Sequence, residues 1–163
     1  MQGDKMKIAL KLMPLLCCLV ATVPISAGGA TYCEIASANV SFGTYDALAP
    51  ARRDTIGSIT VTCTGSVGDK VSYSISLDTL GQNGGYRVMT NGEGKLYYVV
   101  YTDSWHTQVW GDGGGGSSVV SDSFMMTTSR ITHTYPIFGR IPAGQKGGSS
   151  GTYSANLAVT LAY

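Results

Sequence analysis

The sequence predicts an all-β fold, specifically an antiparallel β-sandwich, and three observations support that prediction. Short segments rich in Val, Ile, Thr and Tyr alternate with turn signals containing Gly, Asn and Asp, as in two-sheet sandwiches. Only 13% of the residues are charged and 22 are glycine, so long polar helices are not expected. No stretch shows the periodicity of an amphipathic helix. The length of 163 residues fits one domain.

About eight segments have the composition and spacing of strands. The clearest alternation of apolar and polar residues lies in 71–77, and the nearly continuous apolar run 95–101 is typical of a strand near the sandwich centre. Pro136 indicates that part of the segment 129–141 lies at a sheet edge or a bulge. The remaining predicted strands cover 33–42, 56–63, 86–89, 108–110, 123–128 and 152–163.

The first residues have the pattern of a secretory signal peptide. Three lysines precede an apolar run over 12–21, and Ala27 and Ala30 offer small residues for cleavage. The apolar run is too short to span a bilayer. We therefore expect a signal peptide over 1–27, cleaved after Ala27 or Ala30, and an exported domain over 28–163 with no transmembrane segment.

Export decides how the four cysteines are interpreted. Cys17 and Cys18 leave with the signal peptide, whereas Cys33 and Cys63 remain as an even pair in an oxidising compartment. A disulfide that closes a loop of this length stabilises a fold by about 3–4 kcal/mol in the chain-entropy treatment. A metal site is not expected, because the two histidines are far apart and lack the close spacing of zinc ligands.

No motif indicates catalysis or cofactor binding, so we expect neither an enzyme nor a cofactor. The glycine run 111–116 is not followed by the Lys-Ser/Thr of a phosphate loop. His133 is predicted as an exposed cross-strand partner and not as part of a Ser/His/Asp arrangement. The net charge of +1 provides no basic patch for nucleic acid. Trp105 and Trp110 form a candidate adhesive loop if they are exposed and core if they are buried.

The segment 152–163 carries the strongest strand signal. Its apolar residues share one face up to the last residue, and no further strand follows. A strand of this kind is prone to association where it lies at a sheet edge. The alternative is an ordinary core strand that is paired on both sides. The residues of the apolar face are Tyr153, Ala155, Leu157, Val159, Leu161 and Tyr163.

A set of short motifs over about 33–163 resembles the spore coat protein U domain family, which includes pilin subunits of archaic (Csu-type) chaperone–usher pili. The order and spacing of the motifs carry the resemblance, since no single one is specific. The motifs are Phe-Gly-Thr-Tyr at 42–45, Val-Thr-Cys-Thr at 61–64, Arg-Val-Met at 87–89, the apolar strand 96–101, Trp-Gly-Asp-Gly at 110–113, the run 135–145 and Gly-Thr-Tyr at 151–153.

The resemblance implies an immunoglobulin-like sandwich that lacks its final strand. In that family a periplasmic chaperone supplies the strand during export, and a neighbouring pilin subunit supplies it in a fibre assembled through an outer-membrane usher. This exchange is donor-strand complementation. The implied function is a structural or adhesive subunit of a surface pilus, in attachment or biofilm formation. The implied chaperone and donor-strand groove is lined by Tyr153, Leu157, Val159, Leu161 and Tyr163.

The sequence departs from the family pattern in two places. Ser154-Ala155 stands where an acidic residue often follows the tyrosine that opens the last strand, which we take as minor. Signal cleavage would leave at most 28–32 before Cys33, and these five residues reach roughly 17 Å, about half of a donor strand. We hypothesise that the chain accepts a strand but cannot donate a full one, which would place it at a fibre tip or in a non-polymerising coat. Long homopolymers held by its own N-terminus would contradict this.

Two further functions remain open on the sequence. One is a non-polymerising spore-coat or envelope protein, and the other is a secreted carbohydrate-binding domain. Chaperone and usher genes beside the gene would favour the pilus subunit, and glycan binding by the isolated domain would favour the last alternative.

Overall fold

The structure is a computed structural model that describes residues 30–46, 51–78, 85–92, 94–145, 149–155 and 157–163. The predicted signal peptide lies outside these residues. No helix in the described part of the chain is long and apolar enough to cross a membrane. The strands are β1 (Tyr32–Asn39), β2 (Thr44–Tyr45), β3 (Arg53–Thr64), β4 (Lys70–Leu77), β5 (Arg87–Asn91), β6 (Gly94–Tyr101), β7 (Val120–Met125), β8 (Arg130–Ile141), β9 (Gly151–Thr152) and β10 (Val159–Ala162).

The strands form two antiparallel sheets that enclose one core. The larger sheet has the order β1-β3-β8-β6-β5, the smaller has the order β10-β4-β7, and β2 pairs with β9 separately. The prediction of an antiparallel β-sandwich is therefore confirmed. The side chains that are almost completely buried come from both sheets and from the loops that precede and follow β7, and they include Ile59, Ile75, Leu77, Leu96, Trp110, Met126, Ile137 and Ile141.

Strands β3 and β8 form the centre of the larger sheet. They pair over twelve residues, from Arg53 opposite Ile141 to Thr64 opposite Arg130. Strand β6 pairs with β8 only at Phe138–Arg140. Pro136 therefore lies where β8 has a single neighbour among the described strands. This placement agrees with the edge predicted for it, because a proline there has no second neighbour to which it would have to donate.

The disulfide predicted between Cys33 and Cys63 is present. The two residues lie directly opposite each other on β1 and β3, with their Cα atoms 4.0 Å apart. Both side chains are buried in the core. The bond therefore attaches β1, the edge strand of the larger sheet, to its one neighbour.

The inner face of β7 and β8 carries a polar cluster that the sequence did not predict. Tyr135 donates a hydrogen bond to Asp122 Oδ2 at 2.5 Å, and His133 Nδ1 lies 2.9 Å from the same oxygen. The Tyr73 hydroxyl contacts that of Tyr135. The Tyr135 hydrogen bond is the main cause that lowers the pKa of the Asp122 carboxyl. The prediction of an exposed His133 is met only in part, because its side chain is 35% exposed and its ring contacts Asp122.

Candidate functional site

Both sheets end in a strand with one partner, and the two edge strands lie side by side. Strand β1 pairs only with β3, and β10 pairs only with β4 within the described residues. The two edges are in contact with each other. An edge strand presents unpaired N–H and C=O groups that can bind another strand. Backbone groups of β1 and β10 are therefore placed where another strand could pair with them.

The chain continues beyond both edge strands and forms a short ribbon. Strand β2 pairs with β9, with Thr44 opposite Thr152 and Tyr45 opposite Gly151. The Tyr45 ring is buried and meets the Tyr153 ring edge to face, with 6.0 Å between the ring centroids. This contact joins the segment after β1 to the segment before β10.

A cavity of about 510 Å³ separates these two segments. We call it the inter-sheet groove, and it is bounded by Val40–Gly43 on one side and by 152–155 and Leu157 on the other. Its floor is formed by core side chains of the larger sheet, namely Met89, Tyr98 and Val100.

The inter-sheet groove has an apolar floor, a mixed polar and apolar rim, and no charged side chain. The Phe42 ring packs against Tyr98, with 5.8 Å between the ring centroids, and none of the side chains that line the cavity carries a charge. Burial raises the pKa of the Tyr98 phenol. The groove is therefore suited to apolar side chains and offers no acid–base chemistry.

The approach of Phe42 to β8 depends on a glycine. A Cβ atom added to Gly139 would lie 2.7 Å from Phe42 Cζ and 3.0 Å from Thr55 Cγ2. Both distances are shorter than ordinary van der Waals contact, so a larger residue at 139 would displace the Phe42 ring. The glycine thus allows Phe42 to form part of the groove wall.

The last segment does not form the single strand that was predicted over 152–163. Ser154 forms an isolated bridge with Thr90 of β5, whereas Val159–Ala162 pair with β4 in the other sheet. Between them, Ala158 accepts a hydrogen bond from the backbone of Asp78 at 3.1 Å. One continuous strand cannot pair with both sheets, because packed sheets lie about 10 Å apart. The chain therefore changes sheets between Ser154 and Val159.

The predicted groove residues are placed in three ways. Tyr153 and Leu157 line the inter-sheet groove. Val159 and Leu161 are half-buried on β10 and pack against the core. Tyr163 is 66% exposed and lies instead beside Ser72, Ser74 and Asp122 at the surface of the smaller sheet, so it does not line the groove in this structure.

Several groove residues were missed by the sequence reasoning. Val40 and Phe42 follow β1, and Met89, Tyr98 and Val100 lie on β5 and β6. Phe42, Met89, Tyr98 and Val100 stand in motifs that carry the family resemblance, which was a usable signal. Val40 lies outside those motifs, and only its position beside the cavity distinguishes it.

The two tryptophans of the candidate adhesive loop are in opposite environments. Trp105 is 85% exposed, whereas Trp110 is completely buried. The Trp110 indole donates to the carbonyl of Ile75 at 3.0 Å, so this side chain is core and is not available as an anchor. Trp105 is therefore the one tryptophan of the pair that can contact a surface.

The turn that presents Trp105 is well ordered by hydrogen bonds. The Asp103 carboxylate accepts bonds from the backbone N–H of Thr107 at 3.0 Å and of Gln108 at 2.7 Å. The backbone N–H of His106 donates to the Asp103 carbonyl at 3.1 Å, and His106 has a positive φ of 61°. These contacts hold the backbone around Trp105 in one conformation.

The described residues contain no group of three or more His, Cys, Asp and Glu that could hold a metal ion. The glycine run instead forms a compact turn. Its contacts include a bond from the Gly114 N–H to Asp112 Oδ1 at 2.9 Å and one from the Gly113 N–H to Ser117 Oγ at 3.1 Å.

Comparisons with known proteins identify one family. A profile of the Spore Coat Protein U domain matches residues 19–160. The curated proteins include no significant match. Among solved structures, a chain described under "Chaperone-tip adhesin complex is vital for synergistic activation of CFA/I fimbriae biogenesis" is 12% identical, with a TM-score of 0.33 over 79% of this chain. This chain spans 41% of that one. A similarity of that size indicates neither a shared function nor a shared fold.

Proposed function

The chain belongs to the Spore Coat Protein U domain family, and on that premise we propose that it is a structural subunit of an archaic chaperone–usher surface pilus. In this proposal the chain is exported through the periplasm and accepts a strand from another protein at the inter-sheet groove. The periplasmic chaperone, the outer-membrane usher and a neighbouring subunit are its partners. The observation that carries the proposal is the inter-sheet groove, an uncharged cavity that lies over core side chains of β5 and β6 and between the segments that follow β1 and precede β10.

An added strand would make two kinds of contact at the inter-sheet groove. Its backbone would pair with the unpaired N–H and C=O groups along β10. Its alternate side chains would fill the inter-sheet groove above the buried Met89, Tyr98 and Val100 and would pack against the half-buried Val159 and Leu161. Full burial of one Val- or Leu-sized side chain contributes about 1.5–3 kcal/mol. A donor strand that buries three such side chains would therefore add stability comparable to that of a small domain.

A strand supplied within the same chain tests this proposal directly. The variant carries, after Tyr163, a flexible Gly/Ser linker and a strand of about ten residues with alternating valines. After the entropy cost of ordering the extension, the urea unfolding free energy should rise by about 3–5 kcal/mol. The control extension has serines in place of the valines. Equal stability of the two extended proteins would contradict strand acceptance.

The same variants test the chaperone as a partner. Co-expression of the parent chain with a periplasmic chaperone from its gene neighbourhood should yield a one-to-one complex. The valine extension should abolish that complex, because both strands would compete for the same groove, and the serine extension should leave it intact. A complex that forms equally well with both extensions would show that the chaperone binds elsewhere.

Trp105 favours a second role in adhesion. A large aromatic side chain that is 85% exposed on an ordered turn can bury much of its area against an apolar surface without a large loss of backbone entropy. Attachment to polystyrene should fall in Trp105→Ala and be retained in part in Trp105→Phe. The matched control is Val67→Ala, because Val67 is also a highly exposed apolar residue in a turn. Equal attachment by all four proteins would contradict this role.

A further inference from the structure

A second concave site lies on the opposite face of the larger sheet from the inter-sheet groove. Its lining is formed by Tyr86, which precedes β5, by Tyr97 of β6, and by Pro142 and Gln145, which follow β8. Neighbouring side chains of a strand point to opposite faces, and Tyr98 points into the core. The Tyr97 ring therefore points outward, and this tyrosine pocket is independent of any donor strand.

The two tyrosine rings form the walls of the tyrosine pocket. Their centroids are 6.4 Å apart and their planes meet at 80°, so one ring presents its face where the other presents its edge. Tyr86 is 38% exposed and Tyr97 is 39% exposed. Within the described part of the chain neither phenol hydroxyl forms a hydrogen bond. Among the described residues, both hydroxyls of this largely apolar pocket are thus left without a protein partner.

Gln145, which forms a third wall of the tyrosine pocket, is held in place by two hydrogen bonds to the backbone of Tyr97. The Tyr97 N–H donates to Gln145 Oε1 at 2.7 Å, and Gln145 Nε2 donates to the Tyr97 carbonyl at 2.7 Å. The Gln145 amide therefore pairs with the backbone N–H and C=O of Tyr97 as a neighbouring strand would. Tyr97 precedes the part of β6 that is paired with β8. These two bonds preorganise the pocket, so a ligand would not have to order this wall.

The size and charge of the tyrosine pocket select a class of ligand. The cavity is about 350 Å³, which lies at the small end of the range of small-molecule sites. None of the four lining side chains carries a charge, so a neutral ligand is favoured. The apolar face of a sugar ring can stack on one tyrosine while its hydroxyls bond to the free phenols and to the amide. A proline ring would stack as well but would leave both phenols unpaired.

We propose that the tyrosine pocket binds a neutral hexopyranose unit of a glycan. A ligand of about a dozen heavy atoms in an open pocket is expected to bind with a Kd of about 1–10 mM. Such weak single sites become useful when many copies act together along a fibre. The proposal would hold for a non-polymerising protein too, since the pocket does not involve the inter-sheet groove.

Titration of the full exported chain with methyl α-mannoside, methyl β-glucoside and methyl β-galactoside, followed by ¹⁵N NMR, tests this proposal. At least one sugar should shift the Tyr97 N–H and the Gln145 side-chain amide in a saturable way. Tyr86→Ala should weaken binding about tenfold or more, and Tyr86→Phe should weaken it less because the ring remains. Tyr32→Ala is the matched control, because Tyr32 is an exposed tyrosine on the opposite edge of the same sheet.

Three outcomes would overturn the proposal. The first is the absence of saturable shifts with all three sugars up to about 50 mM. The second is equal affinity in Tyr86→Ala and the parent, with the variant shown to be folded by its amide spectrum. The third is saturation of the same amides by a hexaproline peptide and not by the sugars, which would make the pocket a peptide site.

Discussion

Reduction of the Cys33–Cys63 disulfide is expected to cost about 3.6 kcal/mol of unfolding free energy. The two cysteines are 30 residues apart in sequence, and the loop-closure entropy of a cross-link over that length gives this value at 25 °C. With an m-value of about 2 kcal/mol per M urea for a domain of this size, the unfolding midpoint should fall by about 2 M. The measurement compares urea titrations of the oxidised protein and of the protein in excess dithiothreitol, followed by tryptophan fluorescence.

The double variant Cys33→Ala, Cys63→Ala is the control for side-chain packing. Both cysteines are buried, so the variant should lose the stabilisation from loop closure and a further small amount from side-chain packing. Because the bond fixes β1 at the rim of the inter-sheet groove, reduction should also diminish the stabilisation by an added strand. A midpoint shift below about 0.5 M on reduction would refute the reasoning. It would mean that the pairing of β1 with β3 restricts the chain as much as the disulfide does, in the denatured state or in the native state.

The remaining predictions concern three core and surface contacts. Gly139→Ala should destabilise the fold by about 1–3 kcal/mol, because its Cβ would lie 2.7 Å from Phe42 Cζ; an unchanged urea midpoint would contradict that clash. Trp110→Phe should cost about 2 kcal/mol or more by calorimetry, since it removes a fully buried ring system and leaves the Ile75 carbonyl without its indole donor. The Arg140 hydrogen bond lowers the pKa of the Asp54 carboxyl from 3.8 to about 2. A lowered folded-state pKa stabilises the fold above the unfolded value, so this contribution should be present above about pH 4 and be lost as the pH falls towards 2. Because the Asp54 side chain is 37% exposed, this contribution should stay below about 1 kcal/mol. Asp54→Asn should remove the Asp54 contribution and so reduce the pH dependence in this window, while Asp122, whose carboxyl pKa is also lowered, still contributes to it.

The sandwich could be predicted because its strands are recognisable from local sequence patterns. The alternation in β4 reflects a strand with one buried face, and the apolar run of β6 reflects a strand with both faces buried. Both patterns are properties of a few neighbouring residues. The disulfide was predicted from the two cysteines that an exported chain would keep and from the oxidising compartment that it would enter. The position of Pro136 at an unpaired side of its strand could also be predicted, since a proline is tolerated only where a strand has no second partner.

The inter-sheet groove was only partly accessible in this way. The apolar alternation before and within β10 named Tyr153, Leu157, Val159 and Leu161, and all four pack against the core. The same alternation wrongly predicted one straight strand, because a two-residue period does not show to which sheet each part of the strand is paired. The exchange of partners from Thr90 to β4 depends on contacts between distant parts of the chain.

The sequence alone therefore determined the class of fold, the disulfide and the apolar faces of the strands, all of which follow from local periodicity and composition. The tertiary structure decided which edges remain open, which of the two tryptophans reaches the surface, and that Tyr86 and Tyr97 meet beside Gln145. Each of these depends on the order of strands in the two sheets. That order arises from pairing between residues far apart in the chain, for which a single sequence carries no local pattern.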